Sequence, residues 1–254
     1  MDKKILRFGL TVIVLVWGLS VLPAIGGGLP SSADLRKALQ QVVKENNGGF
    51  GFHMWGTVVD RDGVVRAMVY SGEDRGAQWP GSRLISAQKA NTANAFSLPK
   101  LALSTANLYT AVQPGGSLYG LQHSNPVDTT AAYKGPAENY GTDKDPLLGV
   151  RIGGVNVFGG GLPLYDETGR LWGAIGVSGD SSCVDHIIAW KVRHLLKLDY
   201  VPAGVSPTKD DNIVHDLTDG KSKKGWGHPK CSNEAARIAQ ELPKSHPVRR
   251  PSQK

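Results

Sequence analysis

The chain has 254 residues, 40% hydrophobic and 20% charged, which excludes a disordered or fibrous polypeptide and is enough to bury a core. Its two cysteines exclude a four-cysteine zinc site and a disulfide-scaffold toxin. The net charge of +7 sits at the ends, +2 in residues 1–26 and +6 in residues 219–254, so the body offers no basic face for nucleic acid.

Lys3, Lys4 and Arg7 precede an apolar run, Phe8–Leu22. Such a run is short for a transmembrane helix, which needs about 20 residues, and suits the core of a signal peptide. Pro23 breaks it, and Ala24-Ile25-Gly26 supplies the small residues that cleavage requires. Residues 1–26 are therefore expected to be an export signal, leaving a periplasmic or secreted protein. An uncleaved anchor through residues 8–25 is the alternative. Export places Cys183 and Cys231 where they can pair. That bond would close a loop of about 49 residues and stabilise the fold by roughly 4 kcal/mol. The alternative for Cys183, at a helix start, is a low-pKa thiolate for redox chemistry or metal ligation.

Downstream, Ser31 or Ser32 caps a helix in which Leu35, Ala38, Leu39, Val42 and Val43 recur at helical spacing, and Asn46-Asn47-Gly48-Gly49 ends it. Two strands are predicted around His53–Val59 and Val64–Tyr70, joined by an Asp60-Arg61-Asp62-Gly63 turn. Ser82 opens a helix to about Phe96. Its Ser86, Ala90, Ala93 and Ser97 form a small-residue stripe that lets it lie close to a sheet. Residues 113–149 read as long loops, which in a compact domain point to function or an interface. Strand character returns at Gly154–Phe158 and continues through Gly159–Leu164. A turn at Asp166–Gly169 leads to a near-continuous apolar strand, Arg170–Ser178. Ser181 or Ser182 caps a helix ending near Leu198. The polar extension 199–254 is expected to wrap around the body, with one short helix near Asn233–Glu241 and a disordered end. The order helix, hairpin, helix, loop, hairpin, helix gives an α+β sandwich with an antiparallel β-sheet flanked by α-helices.

Three segments, SAQKANTANAFS (Ser86–Ser97), GGGLPLYDETGRLWGAIGVSGD (Gly159–Asp180) and the following CVDHIIAW, together resemble the GlcG/HbpS family of heme-binding proteins, a domain type also found fused to the adenosyltransferase PduO. The resemblance spans about residues 34–198. It implies a small domain with an antiparallel sheet, a heme cofactor and self-association into a homo-oligomer, in some exported members linked to heme or iron handling and redox sensing. By motif position it carries over Lys89, Ala90 and Thr92 on the helix. It also carries over Gly160, Pro163, Gly173, Gly176, Val177, Ser178 and Gly179 on the turn and strand, and Asp185 early in the last helix. It carries over no axial ligand. This sequence departs from the pattern in a longer loop at about 122–150 and in its tail. The division that results is a signal at 1–26, a heme-binding domain at 27–198 and a basic extension at 199–254.

A heme site needs an axial His, Met, Cys or Tyr, an apolar slot and cations for the propionates. His53 on the first strand, His123 in the long loop and His186 on the last helix are the candidate ligands. On that helix Val184, Ile187, Ile188, Val192 and Leu195 form the core face, and His186, Trp190 and His194 form a stripe opposite. The stripe either lines a ligand slot or interface, or is covered by the extension. His215, His228 and His246 lie in the extension. Lys89 is the cation that can reach an anionic ligand, or else pair with a carboxylate. Ser178-Gly179-Asp180 runs into a capped helix whose N–H groups can hold an anion. The GVSGD sequence is not the GxSxG nucleophile elbow, and the paired aspartates 60/62 and 210/211 sit in turns, so hydrolase chemistry is not expected. The leading expectation is an exported heme-binding protein. Its rivals are an enzyme acting on heme or on a small organic acid, and an interaction module for an exported protein partner.

Overall fold

The computed structural model describes residues 28–252, so the expected signal or anchor lies outside the described residues. Helix α1 (Ser32–Val42) begins with a reciprocal cap: Ser31 Oγ accepts the Asp34 N–H and the Asp34 carboxylate accepts the Ser31 N–H. Strands β1 (Trp55–Asp60) and β2 (Val65–Tyr70) form the expected hairpin, and α2 (Ser82–Phe96) follows. Short helices α3 (Leu121–Ser124) and α4 (Thr129–Ala132) punctuate the long loop. Then come β3 (Gly161–Tyr165), β4 (Leu171–Ser178) and α5 (Ser182–Leu195). The extension adds a small ribbon, β5 (Leu217–Thr218) with β6 (Lys221–Ser222), and helix α6 (Asn233–Ser245).

The main sheet has the order β2-β1-β4-β3 and is antiparallel throughout. Helices α1 and α5 pack their apolar faces on one side, against Val58, Ile175 and Val177. Helix α2 covers the other side, against Trp55, Val59 and Ala174. Covering both faces explains why β1 is apolar nearly throughout instead of alternating. The small-residue stripe of α2 does what its composition predicts. A Cβ added to Gly176 on β4 would overlap the Ser86 carbonyl, and one on Gly161 would overlap the Lys89 carbonyl.

Three boundaries differ from expectation. Residues 154–158 are not a strand, because Gly153 and Gly154 take left-handed φ values of +63° and +79° and the Asn156 N–H is captured by Thr92 Oγ1 at 3.0 Å. Helix α6 runs past Glu241 to Ser245 with Pro243 inside it. Pro243 lacks the N–H that would serve the Ala239 carbonyl, and Asn212 Nδ2 donates to that oxygen instead, at 2.8 Å. The end of the extension is ordered through Ser252: the Arg249 N–H donates to Asp199 O, its guanidinium pairs with the Asp199 carboxylate, and the Ser252 N–H donates to Glu167 O.

The extension is laid over the outer face of α5 and settles the His186-Trp190-His194 stripe as a covered surface. Trp190 Nε1 donates to His246 O at 2.8 Å, and His194 Nδ1 lies 2.8 Å from Asp199. Arg193, fully buried, makes a bidentate pair with Asp211 at 2.6 and 2.8 Å and donates to Pro163 O. Cys183 and Cys231 are disulfide-bonded, which pins the extension to the start of α5.

Candidate functional site

The residues singled out in the helix, the glycine-rich segment and the last helix converge on one place at the end of β4. Helix α2 sends Lys89 across the sheet. Its Nζ donates to Asp185 Oδ2 at 2.6 Å and to Val177 O at 3.1 Å. The second Asp185 oxygen accepts the backbone N–H groups of Gly179 (3.1 Å) and Asp180 (2.9 Å). Both side chains are almost fully buried. Burial pushes the Lys89 ammonium below its ordinary value and lifts the Asp185 carboxyl to about 6, while each partner opposes the other's shift. Gly160 makes the pair possible: a Cβ there would stand 3.2 Å from Lys89 Nζ and 3.0 Å from Asp185 Cβ.

Beside the pair lies a pocket of about 330 Å³ with Trp79, Ile85 and Phe158 as apolar walls and Ser178 and Ser182 as hydroxyls. Asp180 also lines it, its carboxylate accepting the Phe50 N–H at 2.7 Å and the Ser181 N–H at 2.6 Å. Lys89 is thus already paired, and the pocket sets two carboxylates against one ammonium. Its chemistry favours neutral hydroxyl and amide groups over a free anion.

The remaining candidates sit elsewhere. Thr92 is buried away from the pocket and ties α2 to the loop before β3, donating to Gln88 O and accepting the Asn156 N–H. His123 is exposed on α3. His186 is fully buried, with Nε2 3.1 Å from Asn212 Oδ1, and burial pushes it down to about 3, so it is neutral. His53 lies just before β1, its Nδ1 3.1 Å from Ser71 Oγ, in an open recess of about 230 Å³ lined also by Gln40, Val43, Lys44 and Phe52. Next to it stand exposed aromatic rings. Phe50 packs on Phe52 and Phe52 on Trp79, each with centroids 5.4 Å apart.

One contact at the pocket was not legible in the chain. Ser182 Oγ lies 3.2 Å from His228 Nε2, while His228 Nδ1 lies 2.7 Å from the Pro229 carbonyl. The only sequence signal was the position of His228 three residues before Cys231. Burial pushes His228 down to about 4, so it is a weak base, and the contact ties the extension to the pocket rim.

A family model described as haem degrading protein HbpS-like matches residues 31–193. The chain belongs to the HbpS-like family. Among solved structures it is similar to Klebsiella pneumoniae protein ORFY (26% identity, 65% of this chain and 86% of that one, TM-score 0.43). It is also similar to the PduOC:heme complex (23% identity, 64% and 89%, TM-score 0.44). A third match is a double mutant of Streptomyces reticuli HbpS (19% identity, 77% and 98%, TM-score 0.42). No curated protein matches the chain. All the family-signature positions named above fall inside the matched span of this HbpS-like chain.

Proposed function

We propose that this HbpS-like chain is an exported heme-binding protein acting in heme or iron handling, with the porphyrin seated at the His53 recess. Tested against heme, the Lys89 pocket does not fit the iron, since none of its lining residues is a His, Met, Cys or Tyr. The His53 recess supplies those groups, as an open surface of about 230 Å³ that takes one edge of a porphyrin and does not enclose it. It offers an imidazole held through Nδ1 by Ser71, apolar surface from Val43 and Phe52, and the Lys44 ammonium for a propionate. That combination is the observation that carries the reading. Bound heme would supply redox-active iron, while the chain's residues hold it and shield one face. The exposed rings of Phe50, Phe52 and Trp79 extend the apolar surface on which a porphyrin, or a second copy of the chain in a homo-oligomer, can lie.

The organic-acid reading is weakened because Lys89 is committed to Asp185, and the partner-protein reading because the His186-Trp190-His194 stripe is covered. The export part of the reading rests on the basic-then-apolar run before Pro23. Hemin titration of the purified protein, followed in the Soret region, tests the heme reading. A saturable one-to-one shift is expected, lost in His53→Ala and retained in His123→Ala. An unchanged spectrum in His53→Ala removes the recess as the heme site. Release of iron from bound heme under a reductant would make the protein an enzyme and not a carrier.

A further inference from the structure

A larger cavity, of about 620 Å³, shares the start of α2 with the Lys89 pocket but none of its lining residues. Its volume is in the range of small-molecule sites, roughly 300–1,000 Å³. The walls are mainly apolar and aromatic, from Trp55, Pro80, Leu84, Tyr133 and Tyr140. The two tyrosines come from the long loop that sets this sequence apart from the pattern it resembles, so the cavity belongs to this chain's own elaboration.

Trp55 is 2% exposed and adds ring surface to the wall. One polar group at the cavity is unspent. Arg75, at the rim, has no ion pair or side-chain hydrogen bond among the described residues. Arg83, by contrast, is used up: it pairs with Asp145, donates to Ala132 O and lies 3.6 Å beneath the Tyr140 ring. The Asp74 carboxylate next to Arg75 accepts the Gly76 N–H at 2.8 Å and disfavours a second negative charge on any ligand.

We infer that this cavity binds a planar aromatic monocarboxylic acid, with its ring against Trp55 and Leu84 and its carboxylate on Arg75. The site is separate from the proposed heme recess, and the experiment keeps the two apart. Naphthoate and its neutral amide, naphthamide, serve as probes, with binding read by calorimetry and by quenching of tryptophan fluorescence. Naphthoate should bind saturably and more tightly than the amide. Arg75→Gln should weaken naphthoate about tenfold and leave the amide unchanged. Tyr133→Ala, at the exposed rim where folding is not at stake, should weaken both, and Leu84→Trp should abolish both by filling the space. His53→Ala should leave naphthoate untouched whatever it does to hemin. Absence of naphthoate binding to the wild-type protein overturns the inference, as does equal affinity for acid and amide in both wild type and Arg75→Gln. Displacement of naphthoate by hemin would make the cavity the heme site and overturn the separation.

Discussion

Lys89 and Asp185 are a buried ion pair whose two ends are held by a helix, a strand and a turn. Removing one member strands the other, which in buried pairs costs about 3–5 kcal/mol, whereas replacing both by apolar residues restores much of it. Lys89→Met should therefore destabilise the protein by about 3–5 kcal/mol in urea unfolding, and Lys89→Met with Asp185→Leu should recover a large part. An additive double variant would show that the two side chains act independently. Protonation has consequences at this scale too. His186 and His228 are held below their ordinary 6.5, at about 3 and about 4, because burial penalises the imidazolium. A depressed folded value means that the unfolded chain binds more protons. Their stabilisation is complete above pH 6.5 and is lost as pH falls towards 4, by about 1.4 kcal/mol per unit for each histidine. Asp185, raised from 3.8 to about 6, works in the opposite direction within that window. His215 and His246, also pushed down by burial, act in the same direction as His186 and His228, so the balance against Asp185 is a net acid-side loss, and His228→Gln should flatten the slope measured by unfolding between pH 4 and 6.5.

Helix α2 depends on glycine in the strands beneath it. Close approach lets Lys89 reach Asp185 across the sheet, and a methyl group at Gly176 has nowhere to go but into the Ser86 carbonyl. Gly176→Ala should cost about 3 kcal/mol or more, since backbone must move to admit it. It should also loosen the Lys89 pair, seen as faster exchange of the Gly179 and Asp180 amide protons. An unchanged melting temperature would mean that α2 sits farther from β4 than described. The small residues of α2 and the glycines of β3 and β4 were legible in the chain as a close-packing signal. The loop at 154–158 was not. An apolar run such as Val155-Asn156-Val157-Phe158 has strand character locally, but the left-handed Gly153 and Gly154 before it and the hydroxyl of Thr92, 64 positions away, leave its backbone bonded to side chains instead.

Across the whole molecule, the extension behaves as part of the core. Arg193 with Asp211, the Asn212 amide on Ala239 O and the disulfide between Cys183 and Cys231 fasten it to α5. A loop spanning 48 positions gives a stabilisation of about 4 kcal/mol in the chain-entropy model. The double variant Cys183→Ala, Cys231→Ala should lower unfolding stability by about that amount while keeping the far-ultraviolet circular dichroism of the native protein. Loss of less than a tenth of it would place the fastening in the polar network alone.

The sequence by itself determined the order of the main elements, the antiparallel sheet and the family. Periodicity, turn residues and short motifs are local signals written within a few residues of where they act. Tertiary structure alone decided that Lys89 is paired and not free, that His186 is buried and neutral under the extension, and that His53 lines an open recess. Each of those outcomes turns on burial and on partners dozens of residues away, and hydrogen bonding and desolvation at that range leave no pattern in the neighbouring chain.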